Sequence, residues 1–282
     1  MTSPSSEAAA RADIGVIGGS GFYEFLTDAQ RVRVDTPFGE PSDDLVLGVL
    51  HGRRVAFIAR HGQGHRFPPH GVNYRANLWA LRSVGVRQVL APCAVGSLRR
   101  ELGPGTVVVP DQVVDRTWGR EHTVYDDVGR VVHVGFADPY CPRGREVITS
   151  TVRSAGLPLA ASGTLVVING PRFSSRAESQ WHQSAGWSVV GMTGMPEASI
   201  ARELALCFTT IALVTDHDAG IEGEAGVTHQ EVLEVFAQNI ERLKSLLSDA
   251  IAVMPTDEPD ENATCVCRRA LDGVSLPFAL PT

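Results

Sequence analysis

Two aspartates, Asp216 and Asp218, stand two residues apart at the end of an apolar run, TIALVTDHD (210–218). If strand geometry persists to that point, both side chains project from the same face. Paired carboxylates in a crevice can accept hydrogen bonds from an exocyclic amino group, and a protonated one can donate to a ring nitrogen. An Asx-turn is the alternative interpretation, so the function of the pair depends on what lies opposite it.

A second group of residues suits an anion. A glycine turn lets backbone N–H groups approach a phosphate closely, and a guanidinium at a buried strand end needs an anionic partner. The residues of this group each follow or end an apolar run: Gly18, Gly19, Ser20 and Gly21, then Arg60 and His61, then Cys93 and Ala94 with their backbone amides, and Thr193 with its hydroxyl. Together they outline an oxyanion cradle, although Arg60 alone is also compatible with a structural ion pair.

The elements that position these residues are strand-like by length and by Val/Ile content. The runs are IGVIGG (14–19), RVAFIARHG (54–62), QVLAPCAVGS (88–97), TVVVPDQ (106–112), TLVVING (164–170), WSVVGMTG (187–194) and TIALVTDHD (210–218). Helical patterns cover residues 74–85, 196–206 and 229–254. In the last, one apolar face carries Val232, Phe236, Ile240, Leu243 and Leu247.

Strands alternating with helices predict an α/β fold with a mainly parallel sheet covered on both faces, which binds ligands at the carboxyl ends of the strands. We expect one domain over residues 13–254. Residues 1–12 are polar and Ala-rich and are expected to be disordered. Residues 255–282 are expected to form an acidic linker and an apolar tail that packs on the domain or on a neighbouring subunit.

Composition narrows the class of partner. The chain has 282 residues and a formal charge of −7, which disfavours nucleic acid and anionic membranes and favours a small molecule. Without an apolar spanning segment or a signal-peptide pattern, we expect a cytoplasmic protein. The five cysteines are expected to be reduced, and the pair Cys265 and Cys267 to hold no metal, because no matching Cys or His cluster lies nearby in sequence.

Eight ordered motifs resemble the methylthioadenosine phosphorylases, which are purine nucleoside phosphorylases of the trimeric type. They are VIGGSGFY, DTPFGEPSD, ARHG, VNYRANLWAL, GSL, GPRFSSRAES, GMTGMPEA and VTDHDAG, between about Ile14 and Met254. The resemblance implies a single-domain α/β fold with a mixed, barrel-like central sheet. It also implies a homotrimer with active sites near the subunit interfaces.

Carried over residue by residue, the resemblance assigns the phosphate site to Ser20, Arg60, His61, Cys93, Ala94 and Thr193. Cys93 stands where threonine is common in the family, so it would contact phosphate through its amide. Met192 would pack against the ribose, and Phe173 would flank the base. Asp216 and Asp218 match the pair that recognises 6-aminopurines. Inosine-cleaving and methylthioinosine-cleaving relatives have Asn in place of Asp216, and Ser174 replaces the glutamate of the guanosine enzymes.

The 5′ pocket is assigned by the same resemblance. His229 stands where methylthioadenosine enzymes usually carry an apolar residue and where other purine nucleoside phosphorylases hold the 5′-hydroxyl with a histidine. Its alternative is a solvent-facing position in the first turn of the helix. Val232 would line the nucleoside site, His133 would reach the neighbouring subunit's 5′ pocket, and the apolar tail could help close it.

Together these expectations predict phosphorolysis of an adenine nucleoside, with phosphate as co-substrate and no metal or organic cofactor. Asp216 would assist departure of the base at N7. A methylthioinosine or general purine nucleoside phosphorylase is the nearest alternative, since HRFPPH and GMTGMPEA resemble methylthioinosine phosphorylases. A hydrolytic nucleosidase and a non-catalytic nucleoside-binding module are more remote. A dinucleotide-dependent oxidoreductase is disfavoured because the third glycine of GxGxxG would fall at Glu24.

Overall fold

The computed structural model describes residues 11–18, 26, 29–126, 129–221, 229–255 and 265–281, without the side chains of 229–233 and 236–238. The strands are β1 (Ile14–Gly18), β2 (Gln30–Val32), β3 (Leu45–Leu50), β4 (Arg53–Ala59), β5 (Gln88–Ser97), β6 (Val107–Val108), β7 (Gln112–Arg116), β8 (Leu159–Ala160), β9 (Thr164–Ile168), β10 (Val189–Gly191) and β11 (Cys207–His217). The helices are α1 (Tyr74–Ser83), α2 (Pro142–Ser154), α3 (Arg176–Ser184), α4 (Gly194–Glu203) and α5 (His229–Val253). Short 3₁₀ turns cover Gln63–His65 and Pro69–Gly71.

The strands form one mixed sheet in the order β2-β3-β4-β1-β5-β10-β9-β7, with β11 on β5, β6 on β11 and β8 on β6. The pairs β1–β4, β1–β5, β5–β11, β6–β8, β7–β9 and β9–β10 are parallel. The pairs β2–β3, β3–β4, β5–β10 and β6–β11 are antiparallel. The predicted single α/β domain with a mixed, largely parallel sheet is therefore confirmed.

The sheet divides along β5. One edge of this strand pairs with β11 from Gln88 to Ser97, whereas the other pairs with β1 only from Gln88 to Leu90 and with β10 only at Gly96 and Ser97. Between Leu90 and Gly96, that second edge pairs with no other strand of the described chain. The division leaves a crevice lined by β5 backbone, the kind of position at which α/β sheets bind ligands.

Helices cover both faces of the sheet because alternate residues of its central strands point to opposite sides. Val16 and Phe57 belong to an apolar cluster with residues of α2 and α5, whereas Ile17 and Ile58 belong to a cluster with residues of α1 and α4. Both faces are apolar, so the strands read as continuous Val/Ile-rich runs, as buried parallel strands do. In the stripe predicted on α5, Leu243 and Leu247 are buried and Ile240 packs against the core, while the side chains of Val232 and Phe236 lie outside the described residues.

Helices α2 and α3 were not predicted from the sequence, although α3 carries a recognisable signal. Helix α3 begins with a capping box, in which the Ser175 hydroxyl accepts from Glu178 N–H and the Glu178 carboxylate accepts from Ser175 N–H. Helix α2 begins after Cys141, whose sulfur accepts from Gly144 N–H. Proline at the first helical position of α2 is tolerated because that N–H has no partner within the helix.

Residues near both ends of the chain pack against the domain. Residues 1–10 and 256–264 lie outside the described residues, but Ala12, placed by the sequence analysis in the terminal segment, is buried and donates its N–H to Val84 O. In the C-terminal tail, the Phe278 ring packs 5.8 Å from the Trp79 ring and 5.4 Å from the Tyr125 ring. The tail therefore covers the α1 side of its own domain.

One prediction about the cysteines needs correction. The CxC pair does have companions, because the fold brings Cys141 and Cys207 beside Cys265 and Cys267, and all four are buried. They are separated by 58 or more residues along the chain from the CxC pair, so a search for ligands nearby in sequence could not find them. All five cysteines carry free thiols.

Candidate active site

A cavity of about 340 Å³ lies where the sheet divides. It brings together most of the residues predicted from sequence to form the site: Arg60, His61, Cys93, Ala94, Phe173, Ser174, Met192, Thr193, Asp216 and Asp218. They come from the ends of β4, β10 and β11, from the middle of β5 and from the segment after β9. Two groups of residues that are remote in sequence thus share one cavity.

Four predicted site residues are not placed there. Ser20 lies outside the described residues, as do the side chains of His229 and Val232, although α5 begins at His229. His133 is exposed on the single chain and does not line the cavity. No residue of the apolar tail lines it either.

Arg60 follows β4 and is 1% exposed. Its Nε and Nη2 donate to the two carboxylate oxygens of Glu197 at 2.5 and 3.1 Å, and its Nη1 donates to Pro92 O at 3.1 Å. Burial opposes the charge, but the carboxylate and its hydrogen bonds outweigh burial and raise the pKa of Arg60. The ion pair that the sequence left open as an alternative is thus present, and it holds the guanidinium against the cavity wall.

His61 is held in one orientation by its neighbours. Its Nδ1 lies 2.8 Å from Phe67 O, and its ring stacks on His65 with centroids 4.2 Å apart. A carbonyl oxygen can only accept, so Nδ1 carries the hydrogen and Nε2 of the neutral ring is an acceptor. Burial, reinforced by the charge of Arg60, lowers the pKa of His61 to about 4. At neutral pH, His61 therefore offers an acceptor, which suits a protonated oxygen of phosphate.

The low pKa of His61 predicts that stability depends on pH in phosphate-free buffer. Because the unfolded chain binds this proton at a pH near 6.5 and the folded chain only near 4, the free energy of unfolding should fall as pH drops through this window. One such group contributes at most about 1.4 kcal/mol per pH unit. Denaturant unfolding of His61→Gln should show a shallower pH dependence than the parent, whereas the exposed control His70→Gln should match it. Equal slopes in all three proteins would contradict this.

Cys93 and Ala94 lie inside β5, on the strand that the sheet leaves partly unpaired. They were predicted to follow the apolar run, but β5 continues to Ser97 because β11 pairs with it along its full length. Burial raises the pKa of Cys93 to about 12, so its thiol is neutral and does not repel an anion. Thr193 occupies the N-cap position of α4 without capping it, which leaves its hydroxyl for a ligand.

Arg120 is a positioning residue that the sequence analysis missed. It is buried, and its guanidinium donates to the backbone oxygens of Met192 (2.8 Å), Met195 (2.5 Å) and Asn169 (2.9 Å). These bonds fix the segment that carries Met192 and Thr193. No local pattern marks such a residue, because its partners lie between 49 and 75 positions away.

The acidic pair lies at the end of β11. A register shift between Val214 and Asp216 interrupts the pairing with β5, and Asp218 N–H donates to Ser97 O. A Cβ on Gly96 would lie 3.2 Å from Asp216 Oδ2 and 3.3 Å from Asp218 Cβ. Glycine at position 96 thus provides the space in which both carboxyl groups approach β5, and both line the cavity.

The hydrogen bonds of the two aspartates differ. Ser179 donates its hydroxyl to Asp218 Oδ2 at 2.6 Å, and Asp218 is 4% exposed. Thr215 Oγ1 lies 2.6 Å from Asp216 Oδ1 and 3.3 Å from Val95 O. One hydroxyl proton cannot fully serve both acceptors. Thr215 therefore donates to the closer acceptor, Asp216 Oδ1.

The remaining wall is suited to a flat, apolar ring. Phe173, Val190, Ile168 and Met192 contribute apolar surface, and the buried Ser174 hydroxyl has no hydrogen-bond partner in the described chain. A buried polar group without a partner is costly, so this hydroxyl is available to a ligand. The fold and the cavity together define an α/β enzyme that can hold a small anion near Arg60 and His61 and a hydrogen-bonding heterocycle near Asp216 and Asp218.

The chain belongs to the Phosphorylase superfamily, which it matches over residues 13–252. It is 58% identical to a purine nucleoside phosphorylase of Streptomyces coelicolor, over 96% of this chain and 98% of the relative. It is 52% identical to an S-methyl-5′-thioadenosine phosphorylase of Mycolicibacterium smegmatis, over 95% of this chain and 99% of that one. A solved methylthioadenosine phosphorylase from Schistosoma mansoni in complex with adenine superposes with a TM-score of 0.82 at 39% identity, covering 86% of this chain and 92% of that one.

The protein is therefore a nucleoside phosphorylase, a pentosyltransferase of the methylthioadenosine or purine nucleoside phosphorylase type. The resemblance inferred from the eight motifs is confirmed. Among the described residues, no helix has the length and apolarity needed to span a membrane.

Proposed function

We propose that this phosphorylase acts on adenine nucleosides, releasing adenine and a ribose 1-phosphate that keeps the 5-substituent. The observation that carries the proposal is the pair Asp216 and Asp218 in the same cavity as Arg60 and His61. A 6-aminopurine presents an amino group that donates and an N7 that accepts. A 6-oxopurine presents an oxygen in place of the amino group, and two carboxyl oxygens suit it less well.

Asp218 suits the exocyclic amino group. Its Oδ2 accepts from Ser179, which fixes the side chain and leaves Oδ1 as an acceptor for a second donor. Asp216 is assigned to N7 because it lines the cavity together with Asp218 and, when protonated, its carboxyl group can donate to a ring nitrogen. A protonated donor at N7 stabilises the negative charge that develops on the purine as the glycosidic bond breaks.

The other end of the cavity suits the nucleophile. Three of the five N–H groups of Arg60 bond to Glu197 and Pro92, so two remain for phosphate oxygens. The neutral His61, the hydroxyl of Thr193 and the unpaired edge of β5 at Cys93 and Ala94 supply the other contacts, together with Ser20. Phosphate held there attacks C1′ from the face opposite the purine as positive charge develops on the ribose.

The proposed reaction needs no separate cofactor: phosphate is a co-substrate, and the protein supplies orientation and one proton. Solved relatives include a methylthioadenosine phosphorylase in complex with adenine, which supports adenine as the base. Cleavage of 6-oxopurine nucleosides is the second candidate, favoured by HRFPPH and GMTGMPEA. Residues of both motifs line the cavity, among them His65, Pro69, Met192 and Thr193, but the hydrogen-bonding groups assigned to the base are Asp216 and Asp218, so we weight the aspartates more.

The base preference is tested by comparing kcat/KM for methylthioadenosine and adenosine with that for methylthioinosine and inosine at saturating phosphate. Because a site built around hydrogen bonds rejects a mismatched group strongly, we expect the adenine nucleosides to be favoured by about 10²-fold or more. Equal or greater turnover of the 6-oxopurines would overturn the proposal.

The 5′ preference depends on His229. An imidazole donor suits a hydroxyl better than a thioether, so we expect His229→Val to lower kcat/KM for adenosine relative to methylthioadenosine by about 10-fold. His70→Gln, at an exposed position, is the control and should leave the ratio unchanged. An unchanged ratio in His229→Val would place this histidine away from the 5′ group.

We also propose a homotrimer in which His133 reaches the neighbouring subunit's 5′ pocket. Its exposure on the single chain is compatible with this role. Light scattering that gives the mass of one chain would contradict it.

A further inference from the structure

Four buried cysteines form a cluster that is separate from the nucleoside cavity and contains none of the catalytic groups named above. Cys141 precedes α2, Cys207 begins β11, and Cys265 and Cys267 belong to the C-terminal segment. Their sulfur atoms all lie within 4.8 Å of one another, and Cys141 Sγ is 3.6 Å from Cys265 Sγ. None of the four lines the nucleoside cavity.

We propose that these four cysteines bind a structural Zn²⁺ as a Cys₄ site. Tetrahedral zinc with Zn–S bonds of about 2.3 Å sets its sulfurs about 3.8 Å apart, which is close to the spacing of this cluster. A disulfide instead needs its two sulfurs about 2.05 Å apart. Cys₄ is a donor set that closes the coordination of a structural zinc and leaves no position for substrate.

The core half of the site is built before any metal arrives. Cys141 N–H donates to Phe208 O, which joins the start of α2 to β11 beside Cys207. Gly144 permits this close contact, since a Cβ there would collide with Thr209 Oγ1. Its N–H donates to Cys141 Sγ at 3.4 Å. Cys141 Sγ therefore lies at the N-terminus of the 13-residue helix α2, next to an N–H donor.

The other half comes from a tight turn. Arg268 N–H donates to Cys265 O and Ala270 N–H to Cys267 O, so the backbone folds back on itself. Both cysteines are buried beside Cys141 and Cys207. Four thiolates around Zn²⁺ carry a net charge of −2, and basic residues flank the ligands in sequence at Arg143, Arg268 and Arg269. Zinc would thereby anchor the segment that continues to Phe278, where the tail packs on Trp79.

Metal analysis of the unmutated protein tests the site directly. The full chain, with any affinity tag removed, is incubated with micromolar zinc sulfate under reducing conditions and freed of loose metal by gel filtration. We expect about one zinc per chain and four thiols protected from alkylation until a strong chelator removes the metal. The Co²⁺-substituted protein should show the thiolate-to-cobalt absorption of a tetrahedral site.

Two variants assign the ligands. Cys267→Ser should lose most of the bound zinc, whereas Cys93→Ser, which alters a cysteine outside the cluster, should retain it. The proposal is overturned if native mass spectrometry finds no bound zinc and all four thiols alkylate freely. It is also overturned if the mass of the unreduced protein is lower by the hydrogens that disulfide formation removes. Because the unmutated protein answers first, a variant that fails to fold does not decide the outcome.

Discussion

Replacing Asp216 with asparagine is expected to lower kcat/KM for methylthioadenosine by about 10²- to 10⁴-fold, the usual worth of a positioned acid. Asparagine keeps the shape of the side chain but cannot pass a proton to N7. The substituent on C6 lies next to N7 of the purine, so the asparagine amide can also donate to a 6-carbonyl oxygen, and the loss should be smaller for methylthioinosine. The ratio of the two kcat/KM values should therefore shift towards the 6-oxopurine.

The control for Asp216→Asn is Asp138→Asn, the same chemical change at an exposed side chain outside the cavity, which should keep parental rates. Steady-state kinetics at saturating phosphate measure both variants. If Asp216→Asn retained parental turnover of methylthioadenosine, Asp216 would not be the group that assists departure of the base.

Replacing Glu197 with glutamine is expected to destabilise the protein by about 3–5 kcal/mol, the usual cost of leaving one member of a buried ion pair alone. Arg60 and Glu197 both have side chains only 2% exposed, so water cannot replace the lost carboxylate. Added phosphate should restore more stability to this variant than to the parent, because the anion would then be the partner of the Arg60 guanidinium.

A matched control is available on the surface. Glu40 pairs with Arg33, and their side chains are 81% and 71% exposed, so Glu40→Gln should leave stability close to that of the parent. Denaturant unfolding with and without phosphate measures all three proteins. A Glu197→Gln variant as stable as Glu40→Gln would show that the buried pair contributes little to stability. Equal stabilisation of Glu197→Gln and the parent by phosphate would show that Arg60 does not contact the anion.

The sequence predicted the end of each central strand well because those strands are buried on both faces. Such strands appear in the sequence as continuous Val/Ile-rich runs that end in glycine or a polar residue. Two site residues lie at these ends: Arg60 directly follows β4, and Asp216 lies near the end of β11. Strands with one exposed face, such as β2 and β7, lack that signal and were not predicted.

Glu197 and Arg120 were missed for a different reason. Their contacts join residues far apart along the chain: 137 positions separate Glu197 from Arg60, and 72 separate Arg120 from Met192. No periodicity encodes such pairs. The sequence indicated that the buried guanidinium of Arg60 needs an anionic partner, but only the fold identifies that partner as Glu197. The same holds for the cysteine cluster: the sequence shows the pair Cys265 and Cys267, but only the fold brings Cys141 and Cys207 beside them.

The central claim is that phosphate and an adenine nucleoside react in one cavity, between Arg60 and His61 at one end and Asp216 and Asp218 at the other. Release of free base from methylthioadenosine, followed with and without phosphate and with the sugar product identified by phosphorus NMR, tests it most directly. We predict that adenine release requires phosphate and yields a 5-methylthioribose 1-phosphate. Equal release in phosphate-free buffer, with free sugar as the product, would contradict the account.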